Sequence, residues 1–288
     1  MERMKGIFVS GQGTVRNGWK VLGFLALTAL VLKLGNLALQ PALPFLKLHR
    51  DWIPQPFGAG LLVLLPTFLV LRLERRPLRE VGLGLGGRWF REALLGTILG
   101  VALIGLSALL VRGVGGFHFE RGQAGVREVL VGFWLFVGVA FFEELAFRGY
   151  LFQRLRDGLG AWATQILLAA FFAFAHWGNP GMHGATKAWA TVNIALAAVM
   201  LGLAYLRTRS LALPMGLHLG WNWAQGTLLG FGVSGNAESG LLCPVFHGRP
   251  EWLTGGAFGL EASVPALLVL VGFILVLHRW KGTAPPVA

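Results

Sequence analysis

Apolar residues along this chain come in long blocks separated by short polar connectors, not in the short alternations of strands. Eight blocks stand out: Val21–Leu39, Phe57–Leu71, Ala93–Val111, Val129 to about Arg156, Trp162–Trp177, Ala188–Leu206, Leu211–Phe231 and Val264–Leu277. Most reach the length of about 20 residues that a helix needs to cross a bilayer. The pattern predicts an all-α, polytopic membrane protein with about eight transmembrane helices, residues 1–288 forming a single integral membrane domain. Breaks fall where the backbone expects them. Pro41, Pro44, Pro54 and Pro56 punctuate the first connector, Asp157-Gly158-Leu159-Gly160 reads as a turn, and Asn179-Pro180-Gly181 ends the fifth block. The first block is long for a cleaved signal and lacks a small-residue cleavage site, so it reads as an uncleaved helix.

Composition agrees. Hydrophobic residues make up 55% and charged residues 13%, far fewer charges than the ~25% of a soluble domain. The 42 glycines suit close helix packing in lipid. A net charge of +12 raises the question of nucleic acid, but the Lys and Arg residues sit in short connectors and not on one face. The stretches 72–91, 154–156, 207–209 and 279–281 are basic, and they mark one side of the membrane as cytoplasmic. With eight crossings, both termini fall on that side. The expected partners are therefore membrane lipid and a membrane-associated substrate, not nucleic acid. Cys243 is the single cysteine, so there is neither an intrachain disulfide nor a cysteine metal cluster.

Polar chemistry inside the apolar blocks occurs at three places. Glu143, Glu144 and Arg148 interrupt the fourth block, where each uncompensated charge costs about 2.5–3.5 kcal/mol or more. Glu144 and Arg148 are spaced to pair on one helix face, while Glu143 is rotated by about 100° toward something else. His176 closes the fifth block. It lies about as far from the 157–160 turn as Glu143, roughly 16 residues or about 24 Å of helix, so an antiparallel pair would bring the two to one depth. A carboxylate beside an imidazole can activate water. His218 and Asn222, four residues apart in the seventh block, could offer two donors to a developing oxyanion. No His-Glu-x-x-His or Gly-x-Gly-Asp motif is present, and Gly232-Val233-Ser234-Gly235 falls in a polar loop with no evident base for its serine.

Together, Glu143-Glu144-x-x-x-Arg148, Phe172-x-x-x-His176 and His218-x-x-x-Asn222 resemble the three ordered motifs of the CAAX-prenyl-protease and bacteriocin-processing family (CPBP, also called Abi). The resemblance reaches from about residue 76 to 270, taking in Arg76-Pro77-Leu78-x-x-x-Gly82-Leu83 and Thr254-Gly255-Gly256-Ala257-Phe258-Gly259. It leaves residues 1–75 as an N-terminal region with two extra helices. It implies an intramembrane endopeptidase in which Glu143 and His176 activate water, His218 and Asn222 hold the oxyanion, and Glu144 and Arg148 support them. Such proteins are often labelled metalloproteases. Were a metal bound, the resemblance and ligand chemistry would give Glu143, His176 and His218 as ligands and zinc as the ion. Two other readings compete with hydrolysis: a non-catalytic relative acting by protein binding, in immunity or as a scaffold, and a transporter whose charges line a pathway.

Overall fold

A computed structural model describes residues 13, 15–39 and 55–284 of the chain. The polar N-terminal stretch and the proline-rich connector of residues 40–54 lie outside the described residues. The rest is helical: α1 (Asn17–Leu39), α2 (Gln55–Leu73), α3 (Gly87–Gly113), α4 (Val126–Arg148), α5 (Tyr150–Leu159), α6 (Ala161–Ala175), α7 (Gly184–Thr208), α8 (Ala212–Trp223) and α9 (Val264–Arg279). Two short strands, β1 (Phe117–Arg121) and β2 (Leu242–Phe246), pair antiparallel and join the loops that follow α3 and α8.

Five segments are long and apolar enough to cross a membrane: Asn17–Gly35, Pro56–Leu73, Gly87–Gly113, Val126–Leu159 and Gly184–Thr208. Helices α6 and α9 are apolar but shorter. The expected seventh span is instead the 12-residue α8 followed by a π-helical turn, Ala224–Leu228. The protein is therefore a polytopic all-α membrane protein in which α6, α8 and α9 are short.

The fourth span also departs from expectation. It does not run unbroken to Arg156; α4 stops at Arg148, and α5 begins at Tyr150. At Gly149 between them, φ is −73° and ψ −129°, and a Cβ there would collide with the Leu145 carbonyl oxygen. A bend is favoured because the chain beyond carries Gln153, Arg154, Arg156 and Asp157, which an apolar span cannot hold. Helix α5 anchors this polar end. Glu74, just past α2, takes Lys20 Nζ at 2.9 Å, the Tyr150 hydroxyl at 2.9 Å and Arg154 Nη2 at 3.4 Å. Burial alone would raise the Glu74 carboxyl, but these partners together hold it below the usual carboxylate range.

Glycines set the closest helix contacts. A Cβ on Gly96 of α3 would sit 2.5 Å from the Leu213 carbonyl oxygen and 2.8 Å from the Leu217 nitrogen. Across the same seam, Gly216 and Gly220 of α8 abut the Ala93 and Thr97 carbonyls. Backbone thus meets backbone along α3 and α8, as small residues permit in membrane helices. His218 lies about 200° around α8 from Gly216, so the seam turns the polar side of α8 toward α4. On its other flank α4 receives α2: Gly60 sits under the Phe141 ring, and Phe57 stacks on Trp134 with centroids 4.3 Å apart.

We expect Gly216→Ala to destabilise the protein by about 1–3 kcal/mol through overpacking of this seam. Gly105→Ala, at a site with nothing within 4 Å, should be neutral or stabilising. Thermal unfolding in detergent compares the two.

Candidate active site

The charged patch of α4 is folded inward. Arg148 and Glu144 are 2% and 0% exposed, with Arg148 Nη1 donating to Glu144 Oε1 at 3.1 Å. Arg148 Nη2 donates to the Ala198 carbonyl of α7 at 3.1 Å. The pairing expected from the i, i+4 spacing is present, and it is completed by a neighbouring helix.

Glu144 has a second partner. His218 Nδ1 lies 2.9 Å from Glu144 Oε1, and His218 Nε2 lies 3.8 Å from Glu143 Oε2. A carboxylate at Nδ1 makes that nitrogen the donor, so only Nε2 of His218 is available to the space beyond. The first and third motifs are therefore in direct contact. The second joins through Phe172. Its ring lies 5.0 Å beneath the Arg148 guanidinium, and its carbonyl oxygen accepts from His176 Nδ1 at 2.7 Å. A carbonyl can only accept, so His176 holds its proton on Nδ1 and keeps Nε2 as the basic nitrogen when neutral. Phe172, a motif residue to which the sequence assigns no role of its own, therefore sets the tautomer of His176.

Depth matching between Glu143 and His176 has a different origin from the expected one. Helix α6 packs on α5 and α7, not along α4 as an antiparallel partner. It ends at Ala175, and His176 is the first residue of the following turn. Glu143 and His176 nevertheless border one cavity of about 540 Å³, which His218 and Asn222 also line. That volume is typical of a ligand pocket. Much of the remaining wall is apolar, from Phe142, Phe147, Leu201 and Leu217 among others. Asn222 stands one turn beyond His218, just before the π-helical turn, a local distortion common at functional sites.

Several cavity residues were not singled out from the sequence. Ser234, in the loop after α8, adopts φ 50°, a left-handed conformation unusual for serine. Its N–H donates to the Glu261 carboxylate, and its carbonyl accepts from Asn179 Nδ2 at 3.0 Å. Gly235 N donates to Phe258 O at 3.0 Å. Three loops are latched together over the cavity in this way. Ser234, Asn179, Glu238 and Glu261 sit in segments that read as connectors, and Asn193 is one amide in an apolar span. The serine of Gly232-Val233-Ser234-Gly235 thus borders the cavity, with a carboxylate and not a histidine at its backbone.

Among the described residues, no three His, Cys, Asp or Glu side chains are gathered closely enough to hold a metal ion. Glu143, His176 and His218, the conditional zinc ligands, line the cavity without forming such a group. The Nδ1 atoms of His176 and His218 are committed to Phe172 and Glu144.

With this geometry in place, comparison with known proteins is informative. Residues 125–224 match the Rce1-like family model, type II CAAX prenyl endopeptidase Rce1-like. All three motifs lie inside the matched segment, in agreement with the resemblance drawn from them. The flanking residues 76–124 and 225–270, which that resemblance included, fall outside it. No curated protein and no solved structure gives a match. At the level of family, the Rce1-like segment and the apolar helices support a CAAX-type intramembrane protease, a hydrolase of the membrane.

Removing Glu144 would strand Arg148 in the core and release His218. We expect Glu144→Ala to cost about 3–5 kcal/mol of stability, the usual penalty for an orphaned buried charge. The double variant Glu144→Ala/Arg148→Met should recover most of that loss, and Glu143→Gln should melt close to the parent. Melting temperatures in detergent decide all three.

Proposed function

We propose that the protein is an intramembrane endopeptidase that hydrolyses a peptide bond of a membrane-associated protein or peptide, using water activated between Glu143 and His176. The observation that carries this reading is the convergence of three separate motifs on one cavity of suitable size. Glu143 Oε2 is buried and accepts no hydrogen bond from the protein, with His218 Nε2 3.8 Å away, which leaves it free to accept one from a water. His176 Nε2 is a lone-pair nitrogen by virtue of the Phe172 bond, so either group can take a proton from that water.

In the proposed reaction, the water oxygen attacks the scissile carbonyl carbon as its proton passes to Glu143 or His176. The carbonyl oxygen becomes an oxyanion, to which Asn222 Nδ2 would donate, joined by His218 Nε2 when that ring is the imidazolium, the form in which both of its nitrogens are donors. Collapse of the tetrahedral adduct breaks the C–N bond, and the stored proton goes to the leaving nitrogen. Glu144 and Arg148 act behind this group. Arg148 pairs with Glu144 at 3.1 Å, and Glu144 fixes the ring of His218.

The distribution of basic residues supports the cytoplasmic placement of both termini. The basic connectors gather at one end of the bundle: Arg88 Nη2 reaches Thr208 O at 3.2 Å, and Arg207 Nε reaches Leu277 O at 3.0 Å. Arg154 meets Glu74 at the same end. This is the arrangement that the positive-inside rule favours for a cytoplasmic face.

The test compares membrane peptides of cells producing the parent protein with those of cells producing Glu143→Gln, followed by cleavage of the candidates with purified protein in liposomes. Glu143→Gln and His176→Ala should each abolish cleavage without lowering the melting temperature. Asn222→Ala should reduce kcat by about 10²–10³-fold, as loss of one oxyanion donor does. Unchanged turnover by Glu143→Gln would sink the mechanism. Ion-dependent flux in the same liposomes without any cleavage would favour a transporter instead.

A further inference from the structure

The polar wall of the cavity is chemically one-sided. Asn193 is 0% exposed, and its Nδ2 donates to the backbone carbonyls of Glu261 and Ser263, both at 2.8 Å. Two carbonyl acceptors fix the orientation of the amide, so the atom left over is Oδ1, which has no protein partner. Glu143 Oε2 is a second buried acceptor without one. Glu238 and Glu261 add two more carboxylates to the same wall. The hydrogen-bond donor that Glu261 has in this structure is Ser234, a neutral group. Burial pushes both carboxyls up from the ordinary range, at Glu261 against the opposing pull of the Ser234 hydrogen bonds.

The two histidines are the groups on the wall that can carry positive charge; its other side-chain donors, Asn222 among them, are neutral. Among the described residues no Lys or Arg lines the cavity, and Arg148 is spent on Glu144 and the Ala198 carbonyl. A bare metal ion is a poor match, because no three of the acidic and histidine groups come within its reach. Acceptors spread over a wall of this kind suit a larger cation with several N–H donors on a flexible stem.

We propose that the cavity selects a peptide carrying a lysine or arginine side chain beside the scissile bond, the cationic head being held by Glu261, Glu238 and Asn193 Oδ1. The proposal rests on the hydrolysis reading for the position of the bond, but the selection is a property of binding. Its complement follows from the same charges. An acidic side chain at the same position meets Glu238 and Glu261 with no Lys or Arg on the wall to receive it, at a cost that low dielectric magnifies.

Binding is measured by fluorescence polarisation on protein in phosphatidylcholine nanodiscs, whose neutral lipid removes surface attraction. The probes are N-acetylated, C-amidated membrane-inserting peptides that differ at one position: Lys, norleucine or Glu. The Lys peptide should bind about tenfold more tightly than the norleucine peptide, with Glu the weakest. Glu261→Gln should cut that advantage to about threefold or less while barely moving the norleucine affinity, and Glu238→Gln serves the same purpose should Glu261→Gln fail to fold. Equal affinities, no binding of the Lys peptide, or an advantage unchanged in a folded variant overturns the proposal. Cleavage of the same peptides is scored separately. A retained Lys preference without any cleavage sinks the hydrolysis reading alone, and cleavage without preference sinks this one alone.

Discussion

The buried pair of Glu144 and Arg148 is the contact on which the rest of the site depends. One carboxylate oxygen takes both Arg148 Nη1 and His218 Nδ1, while the guanidinium reaches Ala198 of α7 and lies over the Phe172 ring. Four helices are thereby tied through a single charge pair in an apolar interior. Buried ion pairs are poor sources of net stability, since desolvation consumes much of the Coulomb gain, but they are costly to break and so enforce one arrangement. Here the arrangement enforced is the mutual placement of three sets of reactive groups. Glu143, the neighbour left out of the pair, is thereby free to face the cavity.

Close backbone packing complements that charge pair. Where α3 and α8 touch at glycines, no side chain separates the helices, and α8 cannot slide or rotate without collision. The orientation of His218 is thus determined from behind by steric contact and from the front by Glu144. Helix α4 is held in a similar way between α2 and α8. Of the two N-terminal helices, α2 therefore braces the helix carrying the glutamates, while α1 packs on α2 and α5.

Much of this was legible in the sequence. The blocks of apolar residues mark the spans because a bilayer tolerates little else, and the three polar motifs stand out against them for the same energetic reason. The Glu144–Arg148 contact follows from helical periodicity. Other features were hidden. The bend at Gly149 depends on what lies on either side of one glycine in a chain with many, and the expected continuous helix came from hydropathy alone. Contact of His218 with Glu144 requires the relative rotation of two helices, which no single-helix pattern contains. Glu261 and Ser234 meet only because loops distant in sequence fold over the same space. A carboxylate in a Gly-rich connector carries no periodic signal to mark it.

The latch over the cavity has a consequence for biogenesis. Asn193 Nδ2 donates to the carbonyls of Glu261 and Ser263, and Ser234 bonds Glu261 and Asn179, partners up to 70 residues apart in the chain. A polypeptide threaded into the membrane from its N-terminus can form the Glu144–Arg148–His218 contact once α8 has been delivered. It cannot close the cavity until residues 256–263 have followed. The order of synthesis therefore separates assembly of the reactive groups from enclosure of the space in which they act. A chain released before residue 256 would hold the three motifs without the Glu261 contacts that tie the loops together.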